Sequence, residues 1–299
     1  MNHSKPWNNR LSSIESIPTA LVTLPTDSHK KIVLGSKFAL DKTYSKGVTI
    51  MVGTDISGKF HLGHASLLCI AEALKNVMGA KLIVSLNELE SIYSRKCNLK
   101  DINTNRGDIL NTLKKFNCRV HSRIEDVDLT MFSARLWRLL YEKRNSKLFK
   151  HYEQTLDMYD TFSVAVMATT PLILSIHEKT ESVLMLYGSD EYAHMELIFS
   201  LYKSKWFIKE VKSYFGTNVP RINYLLIKNL PDITGRYKMS KTRPKTTIFL
   251  DQVDIKASQL KKHSTRYLKD VLSVTKSIET SPNTNQWYRL IRNLIDHAK

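Results

Sequence analysis

Four short apolar runs, residues 48–52, 82–86, 183–187 and 222–227, recur along the chain and end in polar or glycine-containing segments. Their near-continuous hydrophobicity predicts strands buried on both faces, as in a sheet covered by helices. Residues 65–78, 104–116, 130–149 and 192–203 instead carry apolar positions at the spacing of a helix with one dry face. Strands alternating with helices predict an α/β fold, here a Rossmann-like doubly wound parallel sheet with a short C-terminal helical appendage. Such sheets bind ligands beyond the carboxyl ends of their strands. The loop after residue 52, Leu86-Asn87-Glu88-Leu89-Glu90 and Gly188-Ser189-Asp190-Glu191 all follow predicted strands, so three distant segments are expected to meet at one cleft.

The flanks read differently. Residues 1–45, with Pro18, Pro25 and scattered Ser and Thr, read as an N-terminal extension, 46–255 as the Rossmann-like domain, and 256–299 as a short basic helical tail. The stretch Thr280-Ser281-Pro282-Asn283-Thr284-Asn285 interrupts that tail. With 299 residues and 42% hydrophobic content the chain can bury a sizeable core. No run is read as approaching the roughly 20 apolar residues of a membrane span, and Met1-Asn2-His3-Ser4-Lys5-Pro6 lacks the apolar stretch of a secretory signal. The expectation is a soluble, cytoplasmic protein with no membrane partner. Cys69, Cys97 and Cys118 are odd in number and lack CxxC spacing, which argues against a disulfide framework and a zinc site, and no metal ligand is assigned.

Charge and two motifs narrow the chemistry. His61-Leu62-Gly63-His64 stands where a predicted strand gives way to a helix, and there free backbone N–H groups and the helix dipole favour phosphate. Lys238-Met239-Ser240-Lys241-Thr242, a domain's length further on, brings two ammonium groups on a loop preceded by a glycine. Either motif alone is also compatible with a capping turn or a solvated lysine loop. Both in order, each after a predicted strand, point to nucleotide chemistry. The 45 Lys and Arg against 28 Asp and Glu give a net charge of +17, which favours polyanions and makes nucleic acid the natural partner. Arg135, Arg138, Lys143, Arg144, Lys147 and Lys150 crowd one stretch, and Lys256, Lys261, Lys262, Arg266, Lys269, Lys276, Arg289 and Arg292 populate the C-terminal region. Trp137 and Tyr141, or Tyr267 and Trp287, interleave with these charges and offer stacking on bases, although a solvated basic face is the plainer reading.

With these motifs in place, the chain from about residue 48 to 262 resembles a class I aminoacyl-tRNA synthetase of the tryptophanyl and tyrosyl subclass. The segment from Gly53 to His64 is similar to the family's first motif, Gly188-Ser189-Asp190-Glu191 to its adenylate-contacting segment, and Lys238 to Thr242 to its mobile loop. The resemblance implies attack of an amino-acid carboxylate on the α-phosphate of ATP, loss of pyrophosphate accompanied by Mg²⁺, and transfer to tRNA, in a homodimer. It implies catalytic roles for His61, His64, Lys238 and Lys241. Thr54, Ser57, Gly58, Gly63, Gly188, Asp190, Met239 and Ser240 would hold ATP or the adenylate. Glu90, Met167, Thr170 and Glu191 would lie at the amino acid, with Glu90 pairing to its ammonium group.

Several positions depart from the family. Glu191 stands where a Gln usually meets the substrate carboxylate, and one carboxylate repels another unless a proton or cation intervenes. Ala168 and Thr170 stand where tryptophanyl enzymes carry polar partners for the side chain and amino group. Arg243 replaces an acid, and the segment after Thr242 is short for a helical anticodon-reading domain. Three readings therefore stand side by side: an aminoacyl-tRNA ligase, a paralogue that adenylates an amino acid or other carboxylate for a non-tRNA acceptor, and a non-catalytic RNA-binding module.

Overall fold

In the computed structural model, strand β2 (Val48–Thr54) sends Ile50 and Val52 to one dry face of the sheet and Met51 to the other. Strand β5 (Ser182–Gly188) does the same with Leu184 and Leu186 against Val183, Met185 and Tyr187. Burial on both sides is why these strands read as unbroken apolar runs. The structure describes residues 33–36, 47–93, 98–146, 149, 157–235, 238–241, 243–252, 260, 262–279 and 282–297. Among them, β1 (Val33–Ser36), β2, β3 (Lys81–Leu86), β4 (Arg119–Ser122), β5 and β6 (Arg221–Ile227) form one sheet in the order β1-β6-β5-β2-β3-β4. All neighbours from β6 to β4 pair in parallel, and β1 lies antiparallel on β6. From β2 the chain builds outwards through β3 and β4, then returns to place β5 and β6 on the other side. The carboxyl ends of β2 and β5 therefore flank the point where strand order reverses, the crevice in which such sheets bind ligands.

Helices cover both faces. On one lie α1 (Leu62–Met78), α3 (Leu99–Lys115) and two C-terminal helices, α8 (Lys262–Ile278) and α9 (Gln286–His297). On the other lie α4 (Val127–Glu142), α5 (Met158–Glu178), α6 (Tyr192–Lys203) and α7 (Lys205–Phe215), while the short α2 (Glu88–Tyr93) caps the end of β3. The C-terminal helices share the main core: Leu268, Val271 and Ile291 are fully buried with α1, and Trp287 stacks on Phe116 with ring centroids 3.8 Å apart. Asn285 ties the segment between them to α1 by donating to the Cys69 carbonyl at 2.9 Å.

The four expected strands are present, and the helix expected at 192–203 is Tyr192–Lys203. The helix expected at 65–78 starts at Leu62, capped by His61, and two more helices need correction. The helix expected at 104–116 starts at Leu99, because Asn98 accepts from the Asp101 N–H and caps it. The helix expected over 130–149 stops at Glu142, where the chain turns and Ser146 N–H bonds the Lys143 carbonyl at 2.8 Å. Of the expected extension, residues 33–36 are an edge strand, and the remainder up to residue 46 lies outside the described residues.

Helix α5 corrects the reading of apolar runs. It is long and apolar enough to match a membrane span by length and composition, and 78% of its most apolar window is buried inside the protein as the core helix of the second layer. Cys69 and Cys118 are free thiols, pushed up by burial to about 12 and about 11; Cys97 lies outside the described residues.

If α8 and α9 belong to the core, Trp287→Ala destabilises the whole domain. Urea unfolding is expected to lose about 3–5 kcal/mol. A stability equal to that of the parent would show that these helices are dispensable to the fold.

Candidate active site

The first turn of α1 is built by its two histidines. His61, in extended conformation, is the N-cap, and its Nδ1 accepts from the Gly63 N–H at 3.1 Å. His64, three residues on, returns the contact: its Nδ1 accepts from the His61 N–H at 3.2 Å. This is a capping box with imidazoles in place of the usual hydroxyl and carboxylate. A neutral imidazole whose Nδ1 accepts must carry its proton on Nε2, so each ring keeps one N–H donor for a ligand. Burial, with smaller contributions from the Lys241 and Lys238 ammonium groups, lowers His61 to about 3. Burial likewise holds His64 far below the ordinary range, so both rings are neutral donors at neutral pH. A Cβ on residue 63 would come within 2.8 Å of His61 Cε1, so this tight turn requires Gly63.

The lysine loop is fastened to that turn. Leu62 N–H donates to the Ile248 carbonyl at 3.1 Å and Leu250 N–H to the Phe60 carbonyl at 3.0 Å. Met239 is buried and its N–H bonds the Leu230 carbonyl at 2.8 Å, while Ser240 N–H donates to Thr247 Oγ1 at 3.0 Å. Met239 and Ser240 thus anchor the loop, and Lys238 and Lys241 project from it. Lys241 donates to the Asp55 carbonyl, with its chain lying over Gly58, where a Cβ would stand 3.2 Å away. Ser57 closes the entry turn by donating its N–H to Asp55 Oδ1 at 2.8 Å. Arg243 holds the loop backbone through the Lys238 carbonyl at 2.7 Å, and Thr242 lies outside the described residues.

Lys238 forms an ion pair with Asp190. Burial acts to raise the Asp190 carboxyl, yet Lys238 and the Asn229 amide, which donates at 2.9 Å, hold it below the usual carboxylate range. A Cβ on Gly188 would lie 2.4 Å from Asn229 Oδ1 and 2.7 Å from Asp190 Oδ1, so this approach requires glycine. Glu191 lies beside His194, with Oε2 3.2 Å from Nδ1.

At the ends of β2 and β3 the structure leaves a set of unmet acceptors. Thr54 is buried, and its carbonyl accepts from Asn87 N–H at 2.8 Å, but Thr54 Oγ1 and Asn87 Oδ1 have no partner among the described residues. Glu90, one turn further on, is buried rather than solvated. It forms an ion pair through Oε1 with the fully buried Arg123, whose Nε donates to Ser85 Oγ at 2.9 Å. Glu90 Oε2 and Arg123 Nη2 have no further hydrogen-bond partner among the described residues. Unmet buried polar atoms cost about 1–3 kcal/mol each. Met167 and Thr170 do not join them. Met167 packs into the core of the second layer, and the fully buried Thr170 spends its hydroxyl on the Val166 carbonyl at 2.7 Å.

No family model matches the sequence, and no curated protein sequence matches it significantly. Solved structures do match. A tryptophanyl-tRNA synthetase from Aeropyrum pernix superposes with a TM-score of 0.60 at 19% identity, over 84% of this chain and 77% of that one. The tyrosyl-tRNA synthetase of the same organism gives 0.53 at 14% identity over 86% and 90%. A tryptophan-bound tryptophanyl-tRNA synthetase from Encephalitozoon cuniculi gives 0.57 at 11% identity over 86% and 81%. The chain has the fold of the class I tryptophanyl- and tyrosyl-tRNA synthetases.

Arg123, Asn229 and His194 contact Glu90, Asp190 and Glu191, three expected site residues, and were not read from the sequence. Asn229 stands two residues past β6, a strand-end position at which sequence could have flagged it. The basic stretch on α4 is partly spent: Arg135 pairs with Glu210, Arg138 with Glu142, and Arg144 lies 4.0 Å over the Tyr141 ring. Three of the four aromatics proposed for base stacking are engaged elsewhere. Trp137 donates its indole N–H to the Met158 carbonyl, Tyr267 its hydroxyl to the Lys228 carbonyl, and Trp287 is fully buried. Lys147, Lys150, Lys256 and Lys261 lie outside the described residues.

The neutral histidines make stability pH-dependent. Unfolded, they protonate near pH 6.5; folded, they stay neutral to much lower pH, so acid favours the unfolded chain. Stability is complete above about pH 7 and falls as pH drops from 6.5 towards 3, by up to about 1.4 kcal/mol per pH unit for each ring. Urea midpoints between pH 7 and 5 measure the slope. His61→Asn, which keeps a capping acceptor, is expected to flatten it, and an unchanged slope would contradict the neutral buried state.

Proposed function

We propose that the chain is an aminoacyl-tRNA synthetase-type ligase that uses ATP to activate an amino acid as its adenylate and passes the aminoacyl group to tRNA. The observation that carries this reading is that two neutral Nε2–H donors, Thr54, Asn87 and Glu90 lie on segments at the carboxyl ends of β2 and β3, beside the strand-order reversal, with Lys238 and Lys241 bonded to Asp190 and Asp55 at the ends of β5 and β2. A carboxylate nucleophile needs no general base. Its attack on the α-phosphate forms one P–O bond and breaks another, and the site must absorb the charge that moves onto pyrophosphate. Lys238 and Lys241 do this from the loop, and the histidine Nε2–H groups donate to phosphate oxygens. Mg²⁺ brought in with the nucleotide would add further neutralisation of that charge beside Lys238 and Lys241.

Gly63 lets the His61 ring lie against the first turn of α1 and Gly188 lets Asn229 and Asp190 approach the backbone, and Asp190 takes a ribose hydroxyl once Lys238 has turned to the phosphates. Glu90 Oε2 accepts from the substrate ammonium group, while Arg123 fixes the other oxygen. The net charge of +17 suits a tRNA partner.

A second reading, a paralogue that charges a different acceptor, is favoured by Glu191 and by the withdrawal of Met167 and Thr170 into the core. The discriminating experiment is exchange of labelled pyrophosphate into ATP across the twenty amino acids, followed by aminoacylation of total tRNA. Exchange and tRNA charging with the same amino acid support the first reading; exchange with no charging supports the second. Silence throughout contradicts the first reading and leaves a paralogue for a carboxylate outside the twenty amino acids or a non-catalytic RNA-binding module. Lys238→Ala and Lys241→Ala are each expected to cut exchange by about 100-fold or more, equivalent to about 2.7 kcal/mol of transition-state stabilisation. Full activity in both variants would overturn the role given to the loop.

A further inference from the structure

On the flank of the sheet away from the lysine loop, three side chains from separate elements bring metal-ligating atoms together. His121 lies on β4, Asp126 is the N-cap of α4, and His177 stands in the last turn of α5. His121 Nε2 is 2.7 Å from Asp126 Oδ2, His177 Nδ1 is 3.6 Å from the same oxygen, and all three ligating atoms lie within 4.8 Å of one another. We propose that these residues form a binding site for a zinc-class divalent transition-metal ion.

The chemistry fits that class. Ligand atoms around a tetrahedral ion with bonds of about 2.0–2.1 Å lie about 3.3 Å apart, so the observed separations need only small side-chain rotations. Two imidazole nitrogens and one carboxylate oxygen select zinc-like ions over Mg²⁺ or Ca²⁺, which prefer oxygen-only sites. The two oxygens of the carboxylate divide the work, since Oδ1 accepts from the Leu129 N–H at 2.9 Å to cap α4, while Oδ2 faces the two rings. His121 has a supporting partner of the kind that orients metal-bound histidines, Ser85 Oγ at 3.2 Å from Nδ1. In the free protein Nε2–H of His121 donates to Asp126; metal binding moves the ring proton to Nδ1, facing Ser85, and frees Nε2 as a ligand.

Access matches as well. The side chains of His121 and Asp126 are 11% and 7% exposed, whereas His177 is 44% exposed, so an ion enters from the His177 side and a water completes the fourth position. The same Ser85 oxygen receives Arg123 Nε, so the site touches the network that holds Glu90.

The test is zinc titration of the untagged full chain after chelator treatment, by calorimetry and with Co²⁺ as a visible-absorption probe, alongside His177→Gln and Asp126→Asn. Asn is as good a helix cap as Asp, and His177 is half exposed, so both variants are expected to fold, which circular dichroism checks. The chain has 10 histidines, so the readout is the difference between parent and variants. The parent is expected to bind one equivalent with the Co²⁺ spectrum of a tetrahedral site, and each variant to lose that equivalent or weaken it by about 100-fold. Folded variants that titrate like the parent, or a parent that binds neither ion, would overturn the proposal.

Discussion

The reciprocal cap between His61 and His64 is the contact on which the site depends. It satisfies two orphan donors at the start of α1 and in doing so determines where each imidazole carries its proton. Burial keeps both rings neutral, so the capping that stabilises the helix is also what leaves two N–H donors at the reversal point of the sheet. Because His61 also bridges to Phe249, the segment that follows the lysine loop is fixed to the same turn. A helix cap and the proposed phosphate site are thus one piece of structure.

The loop opposite is held at its anchors and charged at its tips. Met239 and Ser240 are bonded to the body of the protein, whereas Lys238 is held by a counter-charge, Asp190, and Lys241 by a backbone oxygen. Both lysine contacts are exchangeable for phosphate at little cost, since one set of charge-assisted bonds replaces another. Asp190 released from Lys238 still has Asn229 to orient it. The free protein in this way satisfies its charged groups while keeping them beside the cleft proposed for the nucleotide.

Sequence pattern reached the parallel sheet and the loops at its strand ends because burial on both faces leaves unbroken apolar runs, and because loops at those ends carry polar residues of recognisable type. It missed α5 for the same physical reason: a helix buried nearly all round has no polar face, so neither period stands out in residues 158–178. Tyr267 and Trp287 looked like surface aromatics among lysines, yet α8 and α9 turn them inward and the charges outward. Arg123 was invisible as one basic residue among 45 Lys and Arg, since only the fold reveals that it is buried against Glu90. Glu90 itself was legible as a strand-end carboxylate, but its burial and its shared ion pair were not.

Adenylate chemistry in this cleft requires a nucleotide seated between the two histidines and the lysine loop. Isothermal titration of the full chain with ATP and Mg²⁺ tests this most directly, with no assumption about the amino acid or the acceptor. Saturable binding of one ATP per chain is the predicted result. A chain that is folded by circular dichroism and gives no ATP binding would contradict the assignment of the cleft.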